Sequence, residues 1–446
     1  MLTIEYNVNT LLLSEVDYYM SFIWKEKNWN SYYLLSLILE SLLVLEIYPM
    51  SGKLHIVLFL LYFCFTGIKK NIDNSIQFFK KYWFIVVFLV LWIIHFGLRS
   101  GNTNLAVIFF LYFYAGYLSG YNNLNYMKCG KYFVICFAPV LVISLILHVL
   151  QINPLLSYFG AANVFSEYTK TRLVSIFAHP IPAACIFNVY VILALATIEN
   201  KIMKYGCLFL GLICLFLSGS RGCMLAFMII LMLMIIINKE ILKRLFKEYG
   251  PPRNILLCLI ILILLCVVLY QIPSVNHQIE SVLRRITGAK REMGNGFYRF
   301  VAWRVMLTIA WPSASLGTKL LGGGYQSCLS AMTTAGNEFI NSIQAGNAAG
   351  LLLGTVDNTY LSLLYDGGLL AIVIVFGIVS FTIYKLVKGD MNQKYIALVI
   401  LSLSICALTF DMQYWSTITF VYLYMFGLLL GSSDEENKSI NTLKKK

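Results

Sequence analysis

Charge is scarce in this chain. Asp, Glu, Lys and Arg make up 12% of its 446 residues, about half the share found in soluble domains, which excludes a protein built mainly from water-exposed surface. Metal-binding patterns are missing too: there is no CxxC and no HExxH, and the five histidines form no cluster. No metal ion or cofactor is therefore expected. Eleven cysteines are present, but Cys64, Cys136, Cys185, Cys207, Cys214, Cys258, Cys266 and Cys406 fall in apolar stretches, where cysteine behaves as a small hydrophobe. Cys328 stands apart in a polar segment, so no disulfide framework is implied. The opening thirty residues contain acids and lack a basic start and a small-residue cleavage site; they do not read as a removable leader. No convincing internal repeat is found either.

What the chain has is apolar length. It is 59% hydrophobic with a mean hydropathy of +0.76. Runs long enough for a hydrocarbon core of about 30 Å recur along it, at 31–49, 54–68, 82–98, 104–120, 131–151, 176–198, 205–218, 222–238, 255–272, 366–386, 395–411 and 415–431. The expected fold is an all-α polytopic integral membrane protein of about twelve transmembrane helices.

Orientation follows from the short connections, because Lys and Arg stay cytoplasmic. Lys25 and Lys27, the pairs at 69–70 and 80–81, Lys128 and Lys131, Lys201 and Lys204, the run "KEILKRLFKEYGPPR" at 239–253, Lys385 and Lys388, and the final "KKK" lie at alternate connections. Twelve spans with both termini in the cytoplasm satisfy them all. The expected organisation is a cytoplasmic segment 1–30, spans 1–9 over 31–272, a large periplasmic loop 273–357, spans 10–12 over 358–431 and a cytoplasmic tail 432–446. Much of the +13 formal charge thus serves topology, and nucleic acid is not an expected partner.

Three outer segments break the pattern. Residues 152–175 hold "EYTKTRLVS" with Arg172; the turn 218–221 ends in Arg221; the loop 273–357 carries Arg284, Arg285, Lys290, Arg291, Arg299, Arg304 and Lys319. A long translocated loop tolerates charge. A turn as short as "SGSR" does not hold an arginine incidentally.

Within the long loop, residues 298–324 place apolar and aromatic residues at helical spacing around Arg299, Trp303 and Arg304. This predicts a helix capping the bundle or lying on the membrane surface, ended by Pro312 and then by the glycines 322–324. A plain interfacial helix whose arginines meet lipid phosphates is the competing reading. The glycine cluster has no strand–turn–helix context for a dinucleotide site and reads as a turn letting the chain pass close to another segment. Further on, Asp357 is expected to N-cap a helix through Tyr360 and Leu364. Asp366 lies at the mouth of the tenth span, where an ionisable group is costly unless paired or hydrated. His179 beside Pro180 reads equally as a helix-start residue, while His95 and His148 read as packed or interfacial. Glu40 and Glu46 on the first span are candidates for pairing across helices.

Taken in order, "SGSRG" between two spans, Arg299 and Trp303 in "RFVAW", a proline, "LGGG" and "DNTYLSLLYDGGLLA" resemble the bacterial O-antigen polymerase and O-antigen ligase superfamily over about residues 172–375. The resemblance implies a polytopic glycosyltransferase that moves a glycan from undecaprenyl diphosphate onto an acceptor hydroxyl at the outer face of the cytoplasmic membrane, with inversion and without metal. Polymerases use a second lipid-linked repeat unit as acceptor, ligases the lipid A core. Ligases typically carry a histidine before the asparagine where this chain has Asp357, which tilts the reading toward polymerase.

Such chemistry needs cations for the departing diphosphate, and guanidinium groups offer bidentate donors that stay charged. The acceptor hydroxyl needs a base. The expected roles are diphosphate contact for Arg221 and Arg299, assistance from Arg172 and Arg304, and orientation or deprotonation of the hydroxyl by Asp357. Asn358, Tyr360 and His179 are expected to bind substrate. Ser218, Gly219, Ser220 and Gly222 are expected to let phosphate approach the backbone. Expected partners are the lipid-linked donor and acceptor, membrane lipids, and a chain-length regulator and flippase. A transporter for lipid-linked sugars is the competing class, but would show ionisable groups at mid-membrane depth and matching halves. A purely structural membrane protein leaves Arg221 unexplained.

Overall fold

The computed structural model describes residues 71–83, 87, 95, 99, 103–121, 126–150, 172–177, 179–237, 295–342 and 355–443. The expected spans 31–49, 54–68 and 255–272, most of 82–98, Glu40, Glu46 and the first part of the long loop lie outside these residues.

All regular structure among the described residues is helical. Residues 71–83 form a helix, followed by α1 (Thr103–Tyr121), α2 (Tyr126–Val149), α3 (Pro180–Thr197), α4 (Lys201–Leu217) and α5 (Arg221–Ile237). The long loop supplies α6 (Asn295–Val305), α7 (Leu316–Leu321) and α8 (Ser327–Ser342). Then come α9 (Thr359–Asp366), α10 (Gly368–Lys388), α11 (Met391–Cys406) and α12 (Ser416–Leu443). Three segments, Gly130–Val149, Pro180–Thr197 and Gly368–Lys388, are long and apolar enough to cross a membrane, and the protein is membrane-embedded. α12 runs past the expected span end at 431, so the segment read as a tail begins as helix.

Helix starts follow local chemistry. Asn200 accepts from the Met203 N–H at 3.1 Å, and Asp390 accepts from the Gln393 N–H at 2.7 Å, so α4 and α11 each begin on a side-chain cap. Pro180 begins α3, where its missing N–H costs nothing.

α3 is the axis of the bundle: 78% of it is buried, against 22% of α10, and α2, α4, α5 and α11 pack around it. The outward Val373, Phe376, Ile383 and Val387 of α10 suit hydrocarbon rather than water. α1 and α12 pair by another device. Gly116 and Gly120 lie against the backbone of Tyr424, Leu428 and Gly431, while Gly427 and Gly431 lie against that of Phe113 and Tyr117. Paired G-x3-G ridges let two backbones touch where any side chain would hold them apart.

Chain direction alternates, so α3, α5, α10 and α12 start at the end where α4 and α11 finish. Lys201, Lys204, Lys385 and Lys388 gather at the other end. The first end is covered by α6–α9, which have a small core of their own built on Ala302, Val305, Met306, Met332 and Val356. The described part of the long loop is therefore packed, and α6 is not a free interfacial helix. The helix ends at Ser313, one residue past Pro312, as expected. The chain widens into a π turn at Met306–Ala310 and continues through Trp311–Ser313, because a proline ring cannot sit against the carbonyl four residues back in a regular helix.

Candidate active site

Four segments meet at the covered end, and α6 contributes the residues that join them. Arg299 and Trp303 are one turn apart and share a face. Trp303 Nε1 donates to the Val356 carbonyl at 3.0 Å, and Arg299 Nε donates to Asp357 Oδ2 at 3.3 Å. The R-x3-W spacing thus grips two consecutive residues of the segment leading into α9. Both side chains of the ion pair keep about a third of their surface open, 30% and 34%.

Asp357 has a left-handed backbone, φ 51°, a conformation Asp tolerates better than most residues. Its cause is one residue that the sequence reading missed. Asp411, in the α11–α12 connection, accepts the N–H of Asp357 at 3.1 Å on one oxygen and that of Asn358 at 3.0 Å on the other, and the Ser362 hydroxyl also donates to it. Two successive amides converging on a single carboxylate fix the turn. Burial pushes the Asp411 carboxyl up to about 6; the Ser362 hydroxyl opposes this and the charge of Asp357 adds to it. An ionisable residue at a span end was the available signal.

The helix cap is displaced by one residue from its expected position. Asn358, with extended backbone, caps α9 by accepting from the Tyr360 and Leu361 N–H groups at 3.0 and 3.2 Å. The left-handed turn puts Asp357 outside the helix, so its carboxylate faces Arg299 and the Thr355 hydroxyl at 3.2 Å. Asn358 Nδ2 donates to the Leu408 carbonyl and Tyr360 Oη to the Ser404 carbonyl. These two residues tie α9 to α11.

His179 caps α3, its Nδ1 accepting from the Ile181 N–H at 3.3 Å, and its ring lies 5.5 Å from that of Trp415. Burial first, then the charges of Arg172 and Arg299, push its pKa down to about 3. The imidazole is neutral and lies within the field of both guanidinium groups. Arg172 Nε donates to the Ser218 carbonyl at 2.6 Å and lies over Gly219, whose φ is +61°. Arg221 follows as the exposed first residue of α5, where the helix dipole favours anions. Arg172, Arg299, His179 and Asp357 are thus brought together, with Arg221 at the adjoining turn.

Arg304 and the small residues of the turn lie apart from the ion pair. Arg304 is exposed and, five residues after Arg299, sits about 140° round the helix, away from the ion pair. In the turn, Gly222 packs against the Thr409 side chain, and the Ser218 hydroxyl is engaged with the Leu215 carbonyl and the Ser220 N–H. Their smallness serves the protein's own packing.

The glycine turn behaves as expected. Gly322 (φ +91°) and Gly368 (φ +70°) press on each other's segments, and the N–H groups of Gly323 and Gly324 donate to the Tyr365 and Asp366 carbonyls at 2.8 and 3.0 Å. "LGGG" is therefore latched to "YDGG". Asp366 accepts from Cys328 N (2.7 Å), Tyr414 Oη (2.8 Å), Ser327 Oγ (3.1 Å) and Gln326 N (3.3 Å). Burial still pushes its carboxyl up to about 7.

Chemically, the cluster gathers Arg172 and Arg299 near one part-open carboxylate, with Arg221 exposed at the adjoining turn, an arrangement suited to a multiply charged phosphate beside a hydroxyl. Residues 206–376 match the family model described as O-antigen ligase. The match takes in Arg221, Arg299, Arg304, Asp357, Asn358, Tyr360 and Asp366, and leaves Arg172, His179, Asp411 and Trp415 outside. It bears out the resemblance to the O-antigen ligase and polymerase superfamily. No curated protein matches the chain.

Proposed function

We propose that this O-antigen ligase/polymerase-type membrane protein is a repeat-unit polymerase, joining undecaprenyl-diphosphate-linked oligosaccharides at the outer face of the bacterial cytoplasmic membrane. The observation that carries the reading is the part-open Arg299–Asp357 pair, 3.3 Å apart, with the charges of Arg172 and Arg299 both reaching the buried His179 beside it. On this reading the covered end is periplasmic and the lysine-bearing end cytoplasmic, within the twelve-span arrangement that places both termini inside.

The donor diphosphate docks on Arg221, Arg172 and Arg299. Its charge competes with Asp357 for Arg299, which releases the carboxylate beside the acceptor. Asp357 then takes the proton of the acceptor hydroxyl. The hydroxyl oxygen forms its bond to the anomeric carbon from the face opposite the diphosphate. The bond from that carbon to the diphosphate oxygen breaks with its electron pair, and undecaprenyl diphosphate leaves, its charge held by the arginines. Because a diphosphate is a good leaving group and the guanidinium groups supply the counter-charge, the reaction is written without metal and with inversion. His179 is a poor candidate for base: its Nδ1 is engaged as a cap and its environment disfavours the proton.

Transport is the weaker reading, since among the described residues the charged groups of α3, α4, α5, α10 and α11 sit only at helix ends. The family model's own description favours ligase as the second reading; Asp357 in place of a histidine favours polymerase. Reconstitution with the lipid-linked repeat unit alone separates them. A ladder of longer lipid-linked glycans is expected, and transfer only when lipid A core is added would make the protein a ligase.

A further inference from the structure

Below the arginine cluster, three cysteines from three different helices point their sulfurs at one spot. Cys185 lies in the second turn of α3, Cys223 in the first turn of α5 and Cys406 at the last position of α11. Each side chain is fully buried. Their Sγ atoms all lie within 4.8 Å of one another, with Cys185 and Cys223 at 3.6 Å. The cysteines are separated by 38 and 183 residues, which is why spacing gave no hint of them.

We infer that Cys185, Cys223 and Cys406 form a trigonal thiolate site for a soft cation of the copper(I) class. An ion equidistant from three sulfurs at about 2.3 Å needs them about 4.0 Å apart, which falls between the two separations above. Three sulfurs, with no carboxylate in the group among the described residues, select soft ions over magnesium or calcium. On binding, each thiol gives up its proton to solvent as its sulfur bonds to the ion; the copper keeps its oxidation state.

The surroundings favour this. Asn188, entirely buried, donates from Nδ2 to Cys406 Sγ at 3.8 Å and to the Cys223 carbonyl at 2.9 Å, the kind of outer contact that orients a sulfur ligand. Its Oδ1 is buried with no partner among the described residues, a polar atom beside the sulfurs that apolar packing alone leaves unexplained. An ion here ties the starts of α3 and α5 to the end of α11, the elements that carry His179, Arg221 and the Asp411 connection.

The test uses the full-length protein in detergent, reduced, then titrated with copper(I) against a chromophoric copper(I) competitor. One tightly held equivalent is expected, with X-ray absorption showing three sulfurs at about 2.3 Å. The triple variant Cys185→Ser/Cys223→Ser/Cys406→Ser keeps the other eight of the eleven cysteines and is expected to lose that equivalent. Cys406→Ala alone, monodisperse by size exclusion, is expected to weaken binding roughly tenfold or more, and Asn188→Leu to weaken it less. Equal copper binding by wild type and the triple variant overturns the site. So does a wild-type absorption spectrum with fewer than three sulfurs, or a native Cys185–Cys223 disulfide in the unreduced protein.

Discussion

At the end of α12 away from the loop helices, Asp434 is buried (6% exposed) and takes Lys81 at 2.5 Å together with the hydroxyls of Tyr82 and Tyr117. At the covered end Asp357 keeps 34% of its side chain open, has Arg299 at 3.3 Å, and stands on a left-handed backbone that Asp411 holds from behind. The two carboxylates are far apart: Asp434 lies 18 residues into α12, about 27 Å along the axis. Asp434 has every donor it needs and nothing left to offer. Asp357 is placed by groups that leave its oxygens accessible, which is what a reacting carboxylate requires. The buried aspartate ties elements together, and the open one is the carboxylate to which the proposed function gives the chemistry.

The contrast can be broken most forcefully by truncating the open pair. Asp357→Ala and Arg299→Ala are expected to lower glycan transfer by about 10²–10⁴-fold in an assay with membranes carrying equal amounts of folded protein. Their thermal midpoints should stay near wild type, since a half-exposed pair contributes only about 0–1 kcal/mol. Equal loss of stability and transfer would erase the distinction between the two ends.

Titration gives the next largest effect. Asp411 and Asp366 have folded pKa values of about 6 and about 7 against an ordinary 3.8, so the folded state binds more protons than the unfolded one between pH 4 and 7. Stability therefore falls as pH rises through that window, by up to about 3 kcal/mol for Asp411, and levels off above it. Thermal unfolding in detergent at stepped pH checks the sign, and Asp366→Asn should flatten part of the slope.

Asp434→Ala is the mirror of the first test: about 1–3 kcal/mol of stability lost through its hydrogen bonds to a charged group, with transfer per folded molecule unchanged. The smallest effect is expected for Arg304→Ala. Its exposed side chain lies round the helix from the ion pair, and kinetics of transfer should stay within about twofold.

Much of the bundle was legible because its signal is local. The expected spans 205–218 and 222–238 became Lys201–Leu217 and Arg221–Ile237, and 366–386 became Gly368–Lys388. The R-x3-W spacing and the glycine turn were readable for the same reason: each is a short-range geometric device. What escaped notice was long-range. Asp411 acts on residues more than fifty positions away, and no local pattern marks a carboxylate that will be met by two amides. The left-handed turn at Asp357 follows from that contact, so the cap shifted to Asn358. The π turn at Met306–Ala310 went unread because it leaves little trace in hydrophobic spacing.

The most direct trial is reconstitution of wild type, Asp357→Asn and Asp434→Asn in proteoliposomes with the undecaprenyl-diphosphate-linked repeat unit as sole glycan. Wild type and Asp434→Asn are expected to build a ladder of longer lipid-linked chains, and Asp357→Asn to leave the single repeat unextended. A ladder of wild-type length and yield from Asp357→Asn would contradict the assignment of the open carboxylate as the reacting group.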